Sequence, residues 1–307
     1  MPFKGLGWVG RFALALALGG SSVVARAADV RTTEVETGGL SATLYVPADG
    51  AKHPALLVLG GAEGGRDWAR GVARKLAEEG FVALAQSYFN GPGLPKALAN
   101  VPIERFQRAI DYLQALPSVE RGHLGVVGLS KGAEAALALA AREPRLRVVV
   151  AASPSDVVWQ GIDRTGGAPA SSWSFRGVPL AYVPFQPCAQ CRGLLDLYRH
   201  SYPQAVAADR VEGKGIAAPV LLISSEQDQV WPSTAMARVL AARLRREGAA
   251  VVSVIDYPTG GHFAFGLSPT AASAKEDTGF GGGTPDGLAA ARKDSWKRVL
   301  EFLRAHD

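Results

Sequence analysis

The run HLGVVGLSKGAEAALAL, His123 to Leu139, decides the fold. Its first half, Leu124 to Leu129, is apolar and valine-bearing, the composition of a buried strand, and from Lys131 onward the residues have helical periodicity. Between the halves stands Gly128-Leu129-Ser130-Lys131-Gly132, a G-x-S-x-G pattern. A strand turning directly into a helix leaves no room for side chains at the flanking positions. Glycines there allow close backbone packing, and the serine is pushed out at the carboxyl edge of the sheet. The helix behind it would present free N–H groups and a positive dipole end to an anion formed at the hydroxyl. A glycine-flanked serine is also an ordinary helix N-cap, so the reading depends on what lies around it.

Outward from this stretch, the alternation of strand and helix continues on both sides. Upstream, Thr32 to Thr37 and Leu40 to Val46 alternate around Gly38-Gly39 as an edge hairpin, and Pro54 to Gly60 reads as a buried strand. That strand ends in Gly60-Gly-Ala-Glu-Gly-Gly65, followed by a helix from Asp67 to about Glu79, a strand from Phe81 to Ala85 and a helix near Ile103 to Leu116. The glycine-rich turn lacks G-x-G-x-x-G spacing and the acid some twenty residues on, so it reads as a loop lending a backbone N–H from Gly61 or Ala62, and not as a dinucleotide site.

Downstream, the elbow helix runs to about Arg142 and Leu146 to Ala151 is the next strand. The rhythm then fails over about residues 153–217, which are rich in Pro, Gly, Trp and Tyr, with one helix expected around Gly193 to Arg199. An insert of this length at this point is expected to act as a lid or cap. The rhythm returns with Ala218 to Ser224, a helix from Ser233 to Glu247 and Val251 to Tyr257. Gly266 to Gly287 is expected as a loop, and a last helix from Ala289 to about Ala305 closes the sheet. The pattern predicts a doubly wound, mostly parallel α/β sheet with an N-terminal antiparallel hairpin, spanning residues 28–307.

The chain has 307 residues, 48% of them apolar and 20% charged, an ordinary globular composition. Its formal charge of +5 owes three bases, Lys4, Arg11 and Arg26, to a first stretch without acids. The remaining 30 bases and 28 acids give no support to a nucleic-acid partner. Residues 1 to 27 have the layout of an export signal: a basic start, the apolar run Phe12 to Leu18, and Ala25-Arg-Ala27 before the expected cut. The apolar run is short for a permanent span, so a periplasmic or secreted protein without a stable membrane anchor is expected. The only cysteines, Cys188 and Cys191, are expected to form a local disulfide in that compartment. A redox centre would follow a βαβ start, whereas this pair follows Pro184-Phe-Gln-Pro187; zinc would need further ligands of suitable spacing, and no metal is expected.

A serine hydroxyl needs a general base oriented by a carboxylate. Asp228, after the Val220 to Ser224 strand, and His262, after the Val251 to Tyr257 strand, supply both. The rival acid is Glu226, and Asp228 could instead cap the following helix; the rival histidines, His53, His123, His200 and His306, are less well placed. Trp159, Trp173, Trp231, Phe263 and Phe265 are candidates for an apolar pocket, or plain core. The order Ser130, Asp228, His262 resembles that of α/β-hydrolases.

Four stretches carry a narrower resemblance: Gly128-Leu-Ser-Lys-Gly-Ala-Glu134, Asp228-Gln-Val-Trp-Pro232, Gly260-Gly-His262 and the segment from Gly283 to Trp296. Together with Leu57-Val-Leu-Gly-Gly-Ala-Glu-Gly-Gly65 they resemble the C-terminal catalytic domain of the acyl-CoA thioesterase and bile acid-CoA:amino acid N-acyltransferase family, from about Pro54 to the end. The resemblance implies a nucleophile at Ser130, an acid at Asp228, a base at His262 and oxyanion donors near Ala62 and Lys131. Serine, where the conjugating branch has cysteine, points to hydrolysis of a small-molecule ester or thioester with no cofactor. Two features depart from the family: its N-terminal β-sandwich is expected to have no counterpart in the about 26 residues between the expected cut and the first buried strand, and an exported enzyme would rarely meet acyl-CoA. A dienelactone-hydrolase-like lactonase or esterase, a transacylase and a non-catalytic binding protein stand as the other readings.

Overall fold

The computed structural model describes residues 29–306; the expected export signal lies outside the described residues. In chain order the first half runs β1 (Val30–Val35), β2 (Ser41–Pro47), β3 (His53–Leu59), α1 (Asp67–Glu78), β4 (Val82–Ser87), β5 (Val101–Pro102), α2 (Glu104–Ala115), β6 (Val119–Leu129) and α3 (Lys131–Ala140). The second half runs β7 (Leu146–Ala152), β8 (Trp173–Phe175), β9 (Val178–Pro179), α4 (Leu194–Ser201), β10 (Val220–Ser225), α5 (Ser233–Glu247), β11 (Val252–Tyr257), α6 (Ala271–Gly281) and α7 (Pro285–His306).

Eight strands form one sheet in the order β1-β2-β4-β3-β6-β7-β10-β11. The β1–β2 and β2–β4 pairs are antiparallel, and every pairing from β4 to β11 is parallel. The hairpin between β1 and β2 turns through Gly38 and Gly39, both with positive φ, which glycine adopts without steric cost. Because parallel strands are buried on both faces, their side chains alternate between two cores. Along β3, Leu57 and Leu59 share a core with Phe106 of α2, Ala133 of α3 and Leu240 of α5, whereas Leu56 and Val58 share the other with Val72 of α1 and Val299 of α7. The molecule is thus a doubly wound α/β-hydrolase sheet with helices on both sides.

Between β7 and β10 the chain leaves the sheet. This insert holds β8 and β9, which pair with β5 in a separate three-stranded sheet, and α4. A third apolar cluster, built on Trp159, Trp231, Tyr198 and Met236, joins it to the loop after β10 and to α5.

One expectation fails. The segment read as a loop from Gly266 to Gly287 contains α6, and α7 begins at Pro285, before Ala289. Only Ala274 and Gly281 of α6 are buried, so there is no apolar stripe to read. Local capping sets its start: Thr270 Oγ1 accepts the Ser273 N–H at 3.2 Å, and the Thr270 N–H is donated to Ser273 Oγ at 3.0 Å. At α7, Pro285 occupies the first turn while Thr284 Oγ1 accepts the Gly287 N–H at 3.0 Å.

A close backbone contact lies where β6 passes into α3. A methyl group on Gly132 would lie 2.3 Å from the carbonyl oxygens of both Leu59 and Gly60, so none fits. Gly132→Ala is expected to cost about 1–3 kcal/mol in urea unfolding, the range for overpacking. Gly279→Ala, where an added methyl meets nothing within 4 Å on the exposed side of α6, is expected to be neutral or slightly stabilising.

Candidate active site

Ser130 stands alone between the last residue of β6 and the first of α3. Its backbone has φ 57° and ψ −119°, a conformation that costs a non-glycine residue about 1–3 kcal/mol and must be imposed by its surroundings. Its N–H is donated to the Ala152 carbonyl at 2.9 Å, and its own carbonyl accepts from Ala133 at 2.9 Å. Gly128 presses on the peptide of Gly132 from the other side, where a methyl would come within 2.1 Å of the Gly132 carbonyl oxygen.

Asp228 and His262 meet behind this corner. His262 Nδ1 lies 2.8 Å from Asp228 Oδ2, and both side chains are almost wholly buried. The second carboxylate oxygen, Oδ1, accepts the N–H groups of Val230 (2.8 Å) and Trp231 (3.1 Å). Asp228 therefore organises its own loop and faces the imidazole at once. The His262 backbone is held at both ends: its N–H goes to the Gly281 carbonyl at 2.8 Å, and its carbonyl accepts Ser153 Oγ at 2.5 Å. The Trp231 ring packs edge-on against the imidazole, with centroids 5.6 Å apart. The rivals are elsewhere: Glu226 and His200 are exposed, His53 pairs with Asp49, His123 with Glu120, and His306 packs on Phe302.

Ser130 and His262 open into one cavity of about 810 Å³, together with Gly61, Ala62 and Lys131. The Lys131 N–H belongs to the first turn of α3, where amide hydrogens have no intrahelical acceptor. The Gly61 N–H is already engaged, donated to Glu63 Oε1 at 2.9 Å. Among the described residues no group of three or more His, Cys, Asp or Glu side chains could hold a metal ion, and no helix is long and apolar enough to cross a membrane. Cys188 and Cys191 are disulfide-bonded just before α4.

The aromatic candidates divide between cavity and core. Of the named aromatics only Phe263 lines the cavity; Trp159, Trp173, Trp231 and Phe265 are fully buried in the cores. Two of the indoles are held there by their N–H groups, Trp173 Nε1 to Glu134 Oε1 at 2.7 Å and Trp231 Nε1 to the Ser153 carbonyl at 3.2 Å. The apolar wall comes instead from Trp68 on α1, Leu197 and Tyr198 on α4, Leu267, and Phe280 on α6. The i, i+3 and i+4 pattern of Leu194, Leu197 and Tyr198 was the available signal for the α4 wall.

A buried ion pair beside the elbow also escaped the sequence reading. Lys131 Nζ lies 3.2 Å from Glu134 Oε2 and donates to Ser172 Oγ at 2.8 Å, while Glu134 Oε1 accepts the Trp159 N–H at 3.2 Å as well as the Trp173 indole. Burial pushes the Glu134 carboxyl up and the Lys131 ammonium down, and their mutual attraction opposes both shifts.

A sheet of this order, with a serine on a positive-φ strand-to-helix turn and a histidine–aspartate pair at the next strand ends, defines an α/β-hydrolase. Solved structures agree on the fold. An α/β-hydrolase from a deep-sea metagenome of the Medee basin matches with TM-score 0.58 and 17% identity, over 91% of this chain and 98% of that one. A putative dienelactone hydrolase from Klebsiella pneumoniae matches with TM-score 0.54 and 17% identity, over 90% and 98%. Within this fold, the family described as BAAT / acyl-CoA thioester hydrolase C terminal matches residues 101–307, and the chain belongs to that family. Curated relatives include the mitochondrial acyl-coenzyme A thioesterase 2 of Mus musculus, 30% identical over 89% of this chain and 60% of its own length. The acyl-coenzyme A amino acid N-acyltransferase 2 of Rattus norvegicus is 28% identical over 90% of this chain and 66% of its own length. The chain spans about 60–65% of the first relatives it matches.

Trp173→Phe keeps the ring stacked among Tyr88 and Phe106 but removes the donor to Glu134. Urea unfolding is expected to show a loss of about 1–3 kcal/mol, the cost of leaving a buried acceptor short of a partner.

Proposed function

We propose that the protein hydrolyses an acyl ester or thioester through an acyl-Ser130 intermediate. The observation that carries this reading is the 2.8 Å contact between His262 Nδ1 and Asp228, with His262 and Ser130 on one cavity. With Nδ1 committed to the carboxylate, Nε2 is the nitrogen left to take the serine proton. Asp228 is itself fixed by the Val230 and Trp231 amides, so the imidazole is held in one tautomer and orientation.

As Ser130 Oγ attacks the acyl carbon, its proton passes to His262, and the carbonyl oxygen becomes an oxyanion facing the N–H of Lys131 and the Gly61–Ala62 loop. Collapse breaks the bond to the leaving alcohol or thiol, which takes the proton from His262. Water then gives a proton to His262 and attacks the acyl-serine carbonyl, and release of the acid restores the Ser130 hydroxyl. The relatives' names favour a thioester, and the apolar cavity wall suits an apolar acyl group. The N-acyltransferase relative supports a second reading, in which an amine replaces water in the last step. Export with cleavage after Ala27 belongs to the same proposal and is checked by N-terminal sequencing of the protein from its native host.

The test is turnover of p-nitrophenyl esters beside acyl-CoA thioesters, with and without an added amine. Ser130→Ala is expected to lower kcat by about ten-thousand-fold or more, and Asp228→Asn by a comparable factor through the wrong imidazole tautomer. Undiminished activity in Ser130→Ala would overturn the mechanism, and an amide product exceeding free acid would move the reading to acyl transfer.

A further inference from the structure

The Gly60–Gly65 turn carries an acid that the proposed mechanism does not use. Glu63 folds back over its own loop so that Oε1 accepts the Gly61 N–H at 2.9 Å. The two glycines before it make this possible. A methyl on Gly60 would lie 2.6 Å from Glu63 Oε1, and one on Gly61 would lie 2.8 Å from Oε2, so neither position admits a side chain while the carboxyl is seated there. The same point on Gly61 is 3.3 Å from Ser130 Cβ, so the carboxyl lies against the residue that faces the serine. Glu63 lines the cavity with Ser130 and His262, and the residue is exposed.

This arrangement conflicts with oxyanion stabilisation as long as Glu63 is ionised. The carboxylate takes up a donor from the loop that should serve the oxyanion, and it places a negative charge beside the position where another must form. Two like charges a few ångströms apart oppose each other, so the oxyanion would form against that repulsion. Protonation removes the charge, weakens the hold on the Gly61 N–H and supplies an O–H donor.

We propose that Glu63 gates the oxyanion site, closed to the reaction as a carboxylate and open to it as the neutral acid. The proposal rests on the serine-hydrolase reading of the same cavity. The groups around the carboxyl set the balance. Desolvation of the carboxyl and, to a smaller extent, Asp67 at the start of α1 favour the neutral acid, while the N–H groups of Glu63 itself and of Gly61, and His262 when protonated, favour the anion; Tyr88, buried after β4, donates its hydroxyl to the Gly60 carbonyl beneath the loop. The net effect holds the Glu63 carboxyl above the ordinary glutamate range. An apolar acyl group filling the cavity would displace the water that hydrates the carboxylate and favour the neutral form further. Substrate binding would thus help to open the gate.

The sign of the pH dependence follows. Acylation needs Glu63 protonated, so the rate falls towards high pH as Glu63 loses its proton. Glu63→Gln keeps an oxygen for the Gly61 N–H but carries no charge at any pH, and so stands for the open gate. The experiment measures the rate at which a fluorophosphonate labels Ser130, followed by mass spectrometry of the intact protein across pH, beside kcat/KM on the best ester. In Glu63→Gln the alkaline fall should vanish, with a rate about tenfold or more above wild type on the alkaline side. A parallel profile, or a uniform loss at every pH, would overturn the gate and leave Glu63 as a loop brace. Failure of the fluorophosphonate to label Ser130 in either protein, with Ser130→Ala as control, would sink the hydrolase reading and the gate with it. Labelling of both with identical pH profiles would sink the gate alone.

Discussion

The closeness of Gly132 to the carbonyls of Leu59 and Gly60 is the constraint on which the site depends. Three elements converge at this point, the end of β3, the end of β6 and the first turn of α3, with no side chain between them. The contact forces the chain to turn within one residue, which puts Ser130 at positive φ with its side chain thrust off the sheet. It also sets the Lys131 N–H and the Gly60–Gly65 loop side by side, since the loop starts from the carbonyls that Gly132 touches. The proposed nucleophile and oxyanion donors are therefore placed by one packing event.

The second anchorage runs from the elbow into the insert. The residue after the nucleophile turns its amide to the cavity while its side chain runs the other way, into a buried pair with Glu134 that also binds Ser172, Trp173 and the Trp159 amide. Taking two charges out of water costs several kcal/mol, and their attraction offsets this only when the remaining donors and acceptors are satisfied. Here the insert satisfies them. The net stabilisation from such a pair is small, and its consequence is positional: the insert can dock over the strand ends only in the register that completes the network.

The fold and the polar centre were legible in the sequence because their signals are local. Buried parallel strands are continuous apolar runs, the elbow is five residues long, and a carboxylate and a histidine each follow a strand. The α6 helix was not legible, since its register depends on capping by Thr270 and on an ion pair between Asp277 and Arg292 of α7, 2.8 Å long, more than on an apolar face. Which indoles line the cavity was not legible for a related reason. Trp, Tyr and Phe share apolarity, and what holds Trp173 in the core is the carboxylate of Glu134, whose position follows only from the fold. The same holds for Glu63, whose seat depends on the exact path of its loop.

The polar machinery and the cavity wall rest on different parts of the chain, and the two sides of the wall are tied to the machinery differently. On one side, Arg292 donates to the carbonyls of Phe263 and Leu267 and pairs with Asp277, while the His262 amide is held by Gly281 at the end of α6. A change in α6 is thereby transmitted to the backbone of the imidazole. On the other side, α4 reaches the imidazole through Tyr198, which packs on Trp231, which packs on His262. Leu194 and Leu197 of α4 line the cavity without entering that chain of contacts. In the proposed reaction, then, the α4 face adjusts which acyl group fits while leaving the base in place. The α6 face cannot adjust fit without also moving the base. The physical distinction is between a wall attached to the machinery by packing and one attached by hydrogen bonds to the base's own peptide.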